Sequence, residues 1–237
     1  MTSRPRSRSS RGFTLVKLLV VIGIIAMLIS ILMPALSAAR AQANLLKCAS
    51  NLRTLGQVMF QYAQDNRGYI PRDYSKNDIL AGHILWAEAF AGYLNRGFKP
   101  VPHNAPNRDQ MLAVVFANIQ PYQCPVFPND QQVVDYIING WNKHRPNGET
   151  SPAFKVTKFK RSAEVIFMTE VNAKHATNNF EYHDLWHPSH LPKSPGSCHM
   201  LDDTRHRGNT NVCYLDGHVV ARPFKGVTEK DFRADFE

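Results

Sequence analysis

The chain has none of the short motifs that would start an enzymatic reading. Its 237 residues contain no serine nucleophile elbow, no phosphate loop, no H-E-x-x-H and no C-x-x-C pair, so a hydrolytic or phosphoryl-transfer site has no sequence foothold. Clustered basic charge is missing beyond the first turn of the chain: residues 1–12 hold four of the 28 basic side chains and none of the 19 acids, leaving 24 against 19, a net +5 rather than +9. That mild, dispersed excess excludes a nucleic-acid groove. There is no internal repeat, and the roughly 170 residues after position 68 suffice for one core.

One stretch lacks charge altogether. Leu18 to Leu36 is nineteen residues with a single hydroxyl, Ser30. At about 1.5 Å per helical residue it reaches roughly 28 Å, close to the hydrocarbon thickness of a bilayer. It is preceded by Arg4, Arg6, Arg8 and Arg11 with no acid among them, and the positive-inside rule keeps those arginines cytoplasmic while the C-terminal side crosses. A cleavable secretory signal ending at Ala35-Leu36-Ser37 is the plain alternative, but the apolar run exceeds the roughly 7–15 residues of such signals.

The junction between the two segments, a basic leader ending in Gly12 and followed by Phe13-Thr14-Leu15, resembles the type IV prepilin signal. The resemblance implies cutting after Gly12 by a prepilin peptidase, methylation of the new N-terminal Phe13, and assembly with other pilin-like subunits through the apolar helix. Pro34 stands twenty-two residues into that mature chain, where pilins and type II secretion pseudopilins commonly carry a helix-bending proline. Position five departs from the family. Where pilin-like subunits usually have a glutamate that pairs with a neighbour's terminal amine, this sequence has Lys17. About 7 Å into the helix, its ammonium can snorkel to the headgroups and avoid most of the roughly 2.5–3.5 kcal/mol of a mid-bilayer lysine. Insertion survives; the amine-to-carboxylate pairing does not. Either the chain is a minor or tip subunit, or Lys17 pairs with a glutamate on a different subunit.

Beyond Pro34, Leu45, Cys48, Leu52, Leu55, Met59 and Tyr62 recur at steps of three and four, while Arg40, Gln42, Asn44, Lys47, Asn51, Arg53, Gln57 and Gln61 are polar. This is an amphipathic stem over 37–66, ended by Asp65-Asn66-Arg67-Gly68 and Pro71 with Gly68 as the C-cap. Phe13 to Asn66 as one helix spans roughly 80 Å, its first half in lipid or fibre core and its second half packed on a head. In the head, 67–237, the patterning gives helices over 79–94 and 109–119 and strands over 133–138 and 163–169. Asn211 to Leu215 and His218 to Ala221 flank Asp216-Gly217, which reads as a hairpin over 210–223 with a two-residue type I′ turn. Helix first and antiparallel strands last is an α+β order.

The C-terminal sequence extends the resemblance. His206, nine residues, then Asp216-Gly217 matches the processing-associated motif that names a subgroup of pilin-like proteins, and K-C-A-S-N-L-R with Q-Y-A-Q-D-N-R-G-Y-I-P in the stem looks like the same subgroup. Trp86, Gln123-Cys124-Pro125 and the strand up to Glu170 are the matches between. For His206 a buried hydrogen bond that locks the strand before the hairpin outweighs a chemical role. The resemblance also favours a Cys48–Cys124 disulfide stapling stem to head, out of three pairings open to the four cysteines in an oxidising compartment. Cys198–Cys213 then follows by elimination, and a free Cys213 facing the sheet core stands beside it.

Seven of the ten histidines fall between His175 and His218, alongside Asp184, Asp202, Asp203 and Asp216. Zinc would need about four such groups at tetrahedral spacing, and Pro188, Pro192, Pro195 and Gly196 make the stretch a loop with no fixed spacing. Pseudopilin heads sometimes hold calcium near the C-terminus, where Asp202-Asp203 offers oxygens, but histidines are poor calcium ligands. A solvated surface loop is the default.

The sequence therefore points to a single-pass protein of the inner (cytoplasmic) membrane, N-terminus cytoplasmic and head extracytoplasmic, that passes to a fibre or the cell surface after processing. It reads as a pilin-like α+β structural subunit, with a long helix on a small antiparallel sheet, and not as an enzyme. Its partners are the peptidase, other pilin-like subunits and the lipid bilayer, with no cofactor. The alternative is a membrane-anchored metal-binding or hydrolytic module that uses the His/Asp-rich segment 175–218.

Overall fold

The computed structural model describes residues 15–71, 85–102, 104–127, 134–139, 155–172, 184–185 and 205–232. The leader, the Gly12–Phe13 junction, Cys198, Asp202-Asp203 and the histidines from His175 to His199 lie outside them. By its contacts the chain divides into two compact units, Met1–Gln42 and Ala43–Glu237.

Helix α1, Leu15–Asp65, is continuous through Pro34. In the first unit its apolar side chains from Leu15 to Leu36 are exposed, and the single hydroxyl, Ser30, donates to the Met27 carbonyl at 2.7 Å. An intrahelical bond of that kind is how a hydroxyl is satisfied where water is excluded. Among the described residues this is the one helix long and apolar enough to cross a membrane.

In the second unit α1 buries the stripe expected from its spacing: Cys48, Leu52, Leu55 and Met59 are inaccessible. One polar position behaves otherwise. Asn51, expected on the solvated face, is buried because its amide Nδ2 donates to the Gln123 carbonyl at 2.6 Å and the Tyr136 hydroxyl at 3.3 Å. At the C-terminus the Gly68 N–H bonds the Ala63 carbonyl at 2.7 Å, the six-to-one bond of a Schellman cap. The left-handed C′ position is therefore Arg67 (φ 57°), with Gly68 after it.

Helix α2, Trp86–Leu94, and helix α3, Arg108–Ala117, are joined by a buried ion pair between Glu88 and Arg108. The described part of the helix expected over 79–94 thus begins at Trp86, and the one expected over 109–119 is shifted toward its N-terminus. Trp86 packs edge-on against Phe90 and Tyr122 at 5.7 and 5.9 Å between ring centroids, the edge-to-face arrangement that aromatic quadrupoles favour.

The strands are β1 (Tyr136–Asn139), β2 (Ile166–Glu170), β3 (Asp184–Leu185), β4 (Asn209–Tyr214) and β5 (Val219–Pro223). Their order is β3-β1-β2-β4-β5. All neighbours are antiparallel except β3, which pairs parallel with β1. That two-residue edge lies in the stretch read as loop from its prolines. The fold is thus α+β: a long N-terminal helix followed by a small sheet whose four main strands are antiparallel.

The three central strands, β1, β2 and β4, are buried on both faces, whereas the edge strand β5 is partly exposed. Tyr136, Ile138, Phe167, Met168 and Cys213 join the core formed with α1, α2 and α3, and Ile137, Ile166, Val212 and Tyr214 join Phe224, Val227 and Phe232 from the C-terminal turns. Phe167 and Met168 reach the same core although they are sequence neighbours, because the β2–β4 register shifts between Ile166 and Met168. A bulge breaks the alternation there.

The hairpin turn differs from the expected two-residue I′ loop. Tyr214 N–H bonds the His218 carbonyl and Gly217 N–H bonds the Tyr214 carbonyl, both at 2.9 Å, and only Gly217 (φ 86°) has positive φ. The loop is three residues, Leu215 to Gly217, the form in which a glycine in the left-handed region follows the turn.

Candidate functional site

The His-to-Asp-Gly motif brackets β4, and its two ends do separate jobs. At the Asp-Gly end, Asp216 accepts from the His218 backbone N–H at 3.0 Å and faces the His218 ring at 2.5 Å. These bonds to His218 hold the Asp216 carboxyl below the usual carboxylate range, against the opposing pull of burial. His218 stacks on Tyr214, with centroids 4.2 Å apart. Asp216 is therefore a turn residue engaged with His218, and His206 is not its partner.

Gly217 rests on α1. A Cβ there would meet Phe60 Cε2 at 2.8 Å, and a Cβ on Gly56 would meet Cys213 Sγ at 2.9 Å. Helix and hairpin approach each other through two glycines, which leaves no room for a side chain at either. Cys213 is buried and free, and burial pushes its thiol up to about 12.

At the histidine end, the backbone turns through three consecutive left-handed residues, His206 (φ 52°), Arg207 (φ 57°) and Gly208 (φ 82°). Non-glycine residues in this region cost about 1–2 kcal/mol each. The turn carries the His206 ring inward, where Nε2 lies 3.1 Å from Glu170 Oε1 and 3.7 Å from Cys124 Sγ. Cys124 is disulfide-bonded to Cys48 of α1, with Cα atoms 5.4 Å apart.

Glu170, the last residue of β2, is fully buried, so a bare carboxylate would be prohibitively costly. Its environment removes that cost. Besides His206, Oε1 accepts from Asn211 Nδ2 at 2.9 Å, and Oε2 accepts from the Asn211 backbone at 3.1 Å and the Thr210 hydroxyl at 3.4 Å. Burial alone would raise this carboxyl; the His206 hydrogen bond, the Arg205 charge and the Asn211 amide together hold it below the ordinary value. Asp135 sits on the other side of Cys124 and accepts its N–H at 2.6 Å. There desolvation outweighs that bond and the Arg205 charge, and the carboxyl rises to about 7.

The structure thus brings His206, Cys48 and Cys124 into one buried cluster and adds Glu170, Asn211, Arg205 and Asp135, which were not singled out from the sequence. Glu170 carried a signal: an acid closing a strand that opens on three apolar residues, I-F-M-T-E. Gly56 carried one too, since a glycine inside a helix costs about 1 kcal/mol relative to alanine and implies a close approach. Of the other assembly positions, Lys17 and Pro34 lie on the apolar half of α1, where Lys17 is exposed.

The chain is 42% identical over 62 residues to the type IV wide pilus major component PilA4 of Thermus thermophilus, a match covering 26% of this chain and 47% of that protein. The chain therefore spans about half the length of the curated relative it matches. No protein-family model matches the chain, and no solved structure matches it.

Proposed function

We propose that the chain is a pilin-like structural subunit, not an enzyme, cleaved after Gly12 by a prepilin peptidase, methylated at Phe13 and assembled through α1 into a type IV pilus-like or type II secretion fibre. The observation that carries the reading is α1 itself. Its first half is an unbroken apolar helix with every large side chain from Leu15 to Leu36 exposed, and it continues into a second half whose stripe is buried. A helix apolar all round is stable only in lipid or against other apolar helices. Similarity to a pilus component supports the second destination as well as the first.

Lys17, where the resemblance leads one to expect a glutamate, supports a minor or tip position, or a pairing with a glutamate on a different subunit. Substituting Lys17→Glu and measuring incorporation into sheared filaments tests this. Changed incorporation is expected; unchanged incorporation contradicts a role for the position.

A further inference from the structure

Cys48 Sγ, Cys124 Sγ, a Glu170 carboxylate oxygen and a His206 ring nitrogen all lie within 4.8 Å of one another, three of the four residues fully buried. We propose that, with the two cysteines reduced, these four side chains form a tetrahedral Zn²⁺ site that is the alternative to the Cys48–Cys124 disulfide.

The donor set is right for zinc: two thiolates, one imidazole and one carboxylate, four ligands of the types zinc takes in closed structural sites. The size is right too. Ligand distances of about 2.3 Å to sulfur and 2.0–2.2 Å to nitrogen and oxygen place tetrahedral donors roughly 3.3–3.8 Å apart. That lies inside the envelope the four atoms already occupy, so the sulfurs have to part and the Nε2–Oε1 pair, at 3.1 Å, has to open slightly.

The surroundings are those of a supported site. Glu170 Oε2 is held by the Asn211 backbone N–H and the Thr210 hydroxyl, while Oε1, the oxygen facing His206, accepts from Asn211 Nδ2 and keeps its second lone pair for the metal. Outer hydrogen bonds of this kind orient ligands. Two thiolates and a carboxylate around Zn²⁺ leave one net negative charge, and the Arg205 guanidinium, whose charge already acts on Glu170, opposes it. The left-handed turn at His206 and Arg207 aims the imidazole at this point.

The two states exchange by a balanced reaction. A dithiol reductant gives two electrons and two protons to the disulfide, whose S–S bond breaks to two thiols while the reductant closes to its own disulfide. Zn²⁺ then binds both sulfurs as thiolates and releases two protons to solvent. It takes Glu170 Oε1 and Nε2 of His206, whose proton, shared with Glu170 in the disulfide state, passes through solvent to Nδ1 so that the ring stays neutral. Metal binding and disulfide formation use the same sulfurs and exclude each other.

Cobalt titration of the full-length chain in detergent, with and without a dithiol, tests the site. Expected for the reduced chain are one tightly held Co²⁺, thiolate-to-cobalt charge-transfer absorption with tetrahedral d–d bands, and displacement of the cobalt by one equivalent of Zn²⁺. The bands should be absent from the oxidised chain and from the Cys48→Ser/Cys124→Ser variant. His206→Ala should weaken zinc by more than roughly tenfold, the lower end of the loss usual for an outer-shell partner alone. A reduced, unsubstituted chain without the charge-transfer band overturns the proposal. So does a band that persists in the double-serine variant, and so does cobalt bound without thiolate absorption, which would locate it on histidines elsewhere.

Discussion

Gly217, at the tip of the C-terminal hairpin, lies so close to Phe60 of α1 that a Cβ on Gly217 would come within 2.8 Å of the ring. One turn of helix earlier, Gly56 gives the same clearance to Cys213. These two contacts fix the hairpin on the stem, and they give the Asp-Gly half of the C-terminal motif a packing reason in addition to its turn.

Gly217→Ala meets two penalties. The left-handed φ costs about 1–2 kcal/mol for a residue with a Cβ, and the clash with Phe60 adds to it. Urea unfolding of the detergent-solubilised chain should show a loss of at least about 1–2 kcal/mol; an unchanged midpoint contradicts the close approach.

Gly56→Ala tests the second contact separately. Alanine favours the helix by about 1 kcal/mol, but overpacking against Cys213 costs about 1–3 kcal/mol, so a net destabilisation is expected. Adding Cys213→Ala removes the obstructing sulfur and should recover most of it. A double-mutant cycle with no coupling would contradict the contact.

Cys213 should resist alkylation in the folded chain. Its thiol is buried and pushed up to about 12, and the thiolate is the reactive species. Peptide mass spectrometry after iodoacetamide should find Cys213 unmodified under native conditions and modified in denaturant; native labelling contradicts its placement.

Removing the staple should cost more than either glycine change. The Cys48–Cys124 bond closes a loop with a sequence separation of 76, and chain-entropy arguments give about 4 kcal/mol for loops of that size. The Cys48→Ala/Cys124→Ala variant, measured in the absence of metal, should lose stability on that scale. A change below about 1 kcal/mol would show that the bond constrains nothing.

Asp135 makes the head sensitive to pH. Its folded value of about 7 lies above the ordinary 3.8, so the fold holds a proton that the unfolded chain releases. Its stabilising contribution is complete below about pH 4 and is lost as pH rises through 7. At about 1.4 kcal/mol per unit, the loss amounts to a few kcal/mol. Asp135→Asn keeps an oxygen for the Cys124 N–H without titrating, so the variant should gain on the wild type steadily between pH 4 and 7 and level off above. Glu170 runs the other way, its contribution disappearing only as pH falls below the ordinary carboxylate range, and it is common to both chains. Parallel pH profiles would contradict the shift.

The elements legible in the sequence are those set by local pattern. The uncharged run, the three-and-four spacing of Leu45 to Tyr62 and the hairpin about Asp216-Gly217 each needed only neighbours along the chain. What was not legible depends on partners far away. Asn51 looks solvated by type and spacing, yet it is buried because Gln123 and Tyr136, more than seventy residues on, satisfy its amide. The three-residue turn includes Leu215, whose N–H pairs with the Val165 carbonyl of the neighbouring segment, a partner the Asp-Gly pair cannot reveal. Glu170 and His206 meet across 36 residues, and neither segment alone shows that a carboxylate would be compensated there.

The central claim is that α1 is freed from its basic leader and assembles. Intact-mass spectrometry of the chain extracted from membranes, with and without an active prepilin peptidase, tests it most directly. The expected result is a chain beginning at methylated Phe13 when the peptidase is present and one retaining residues 1–12 when it is absent. A chain that keeps Met1 in both cells, or that begins near Ala38, would contradict it.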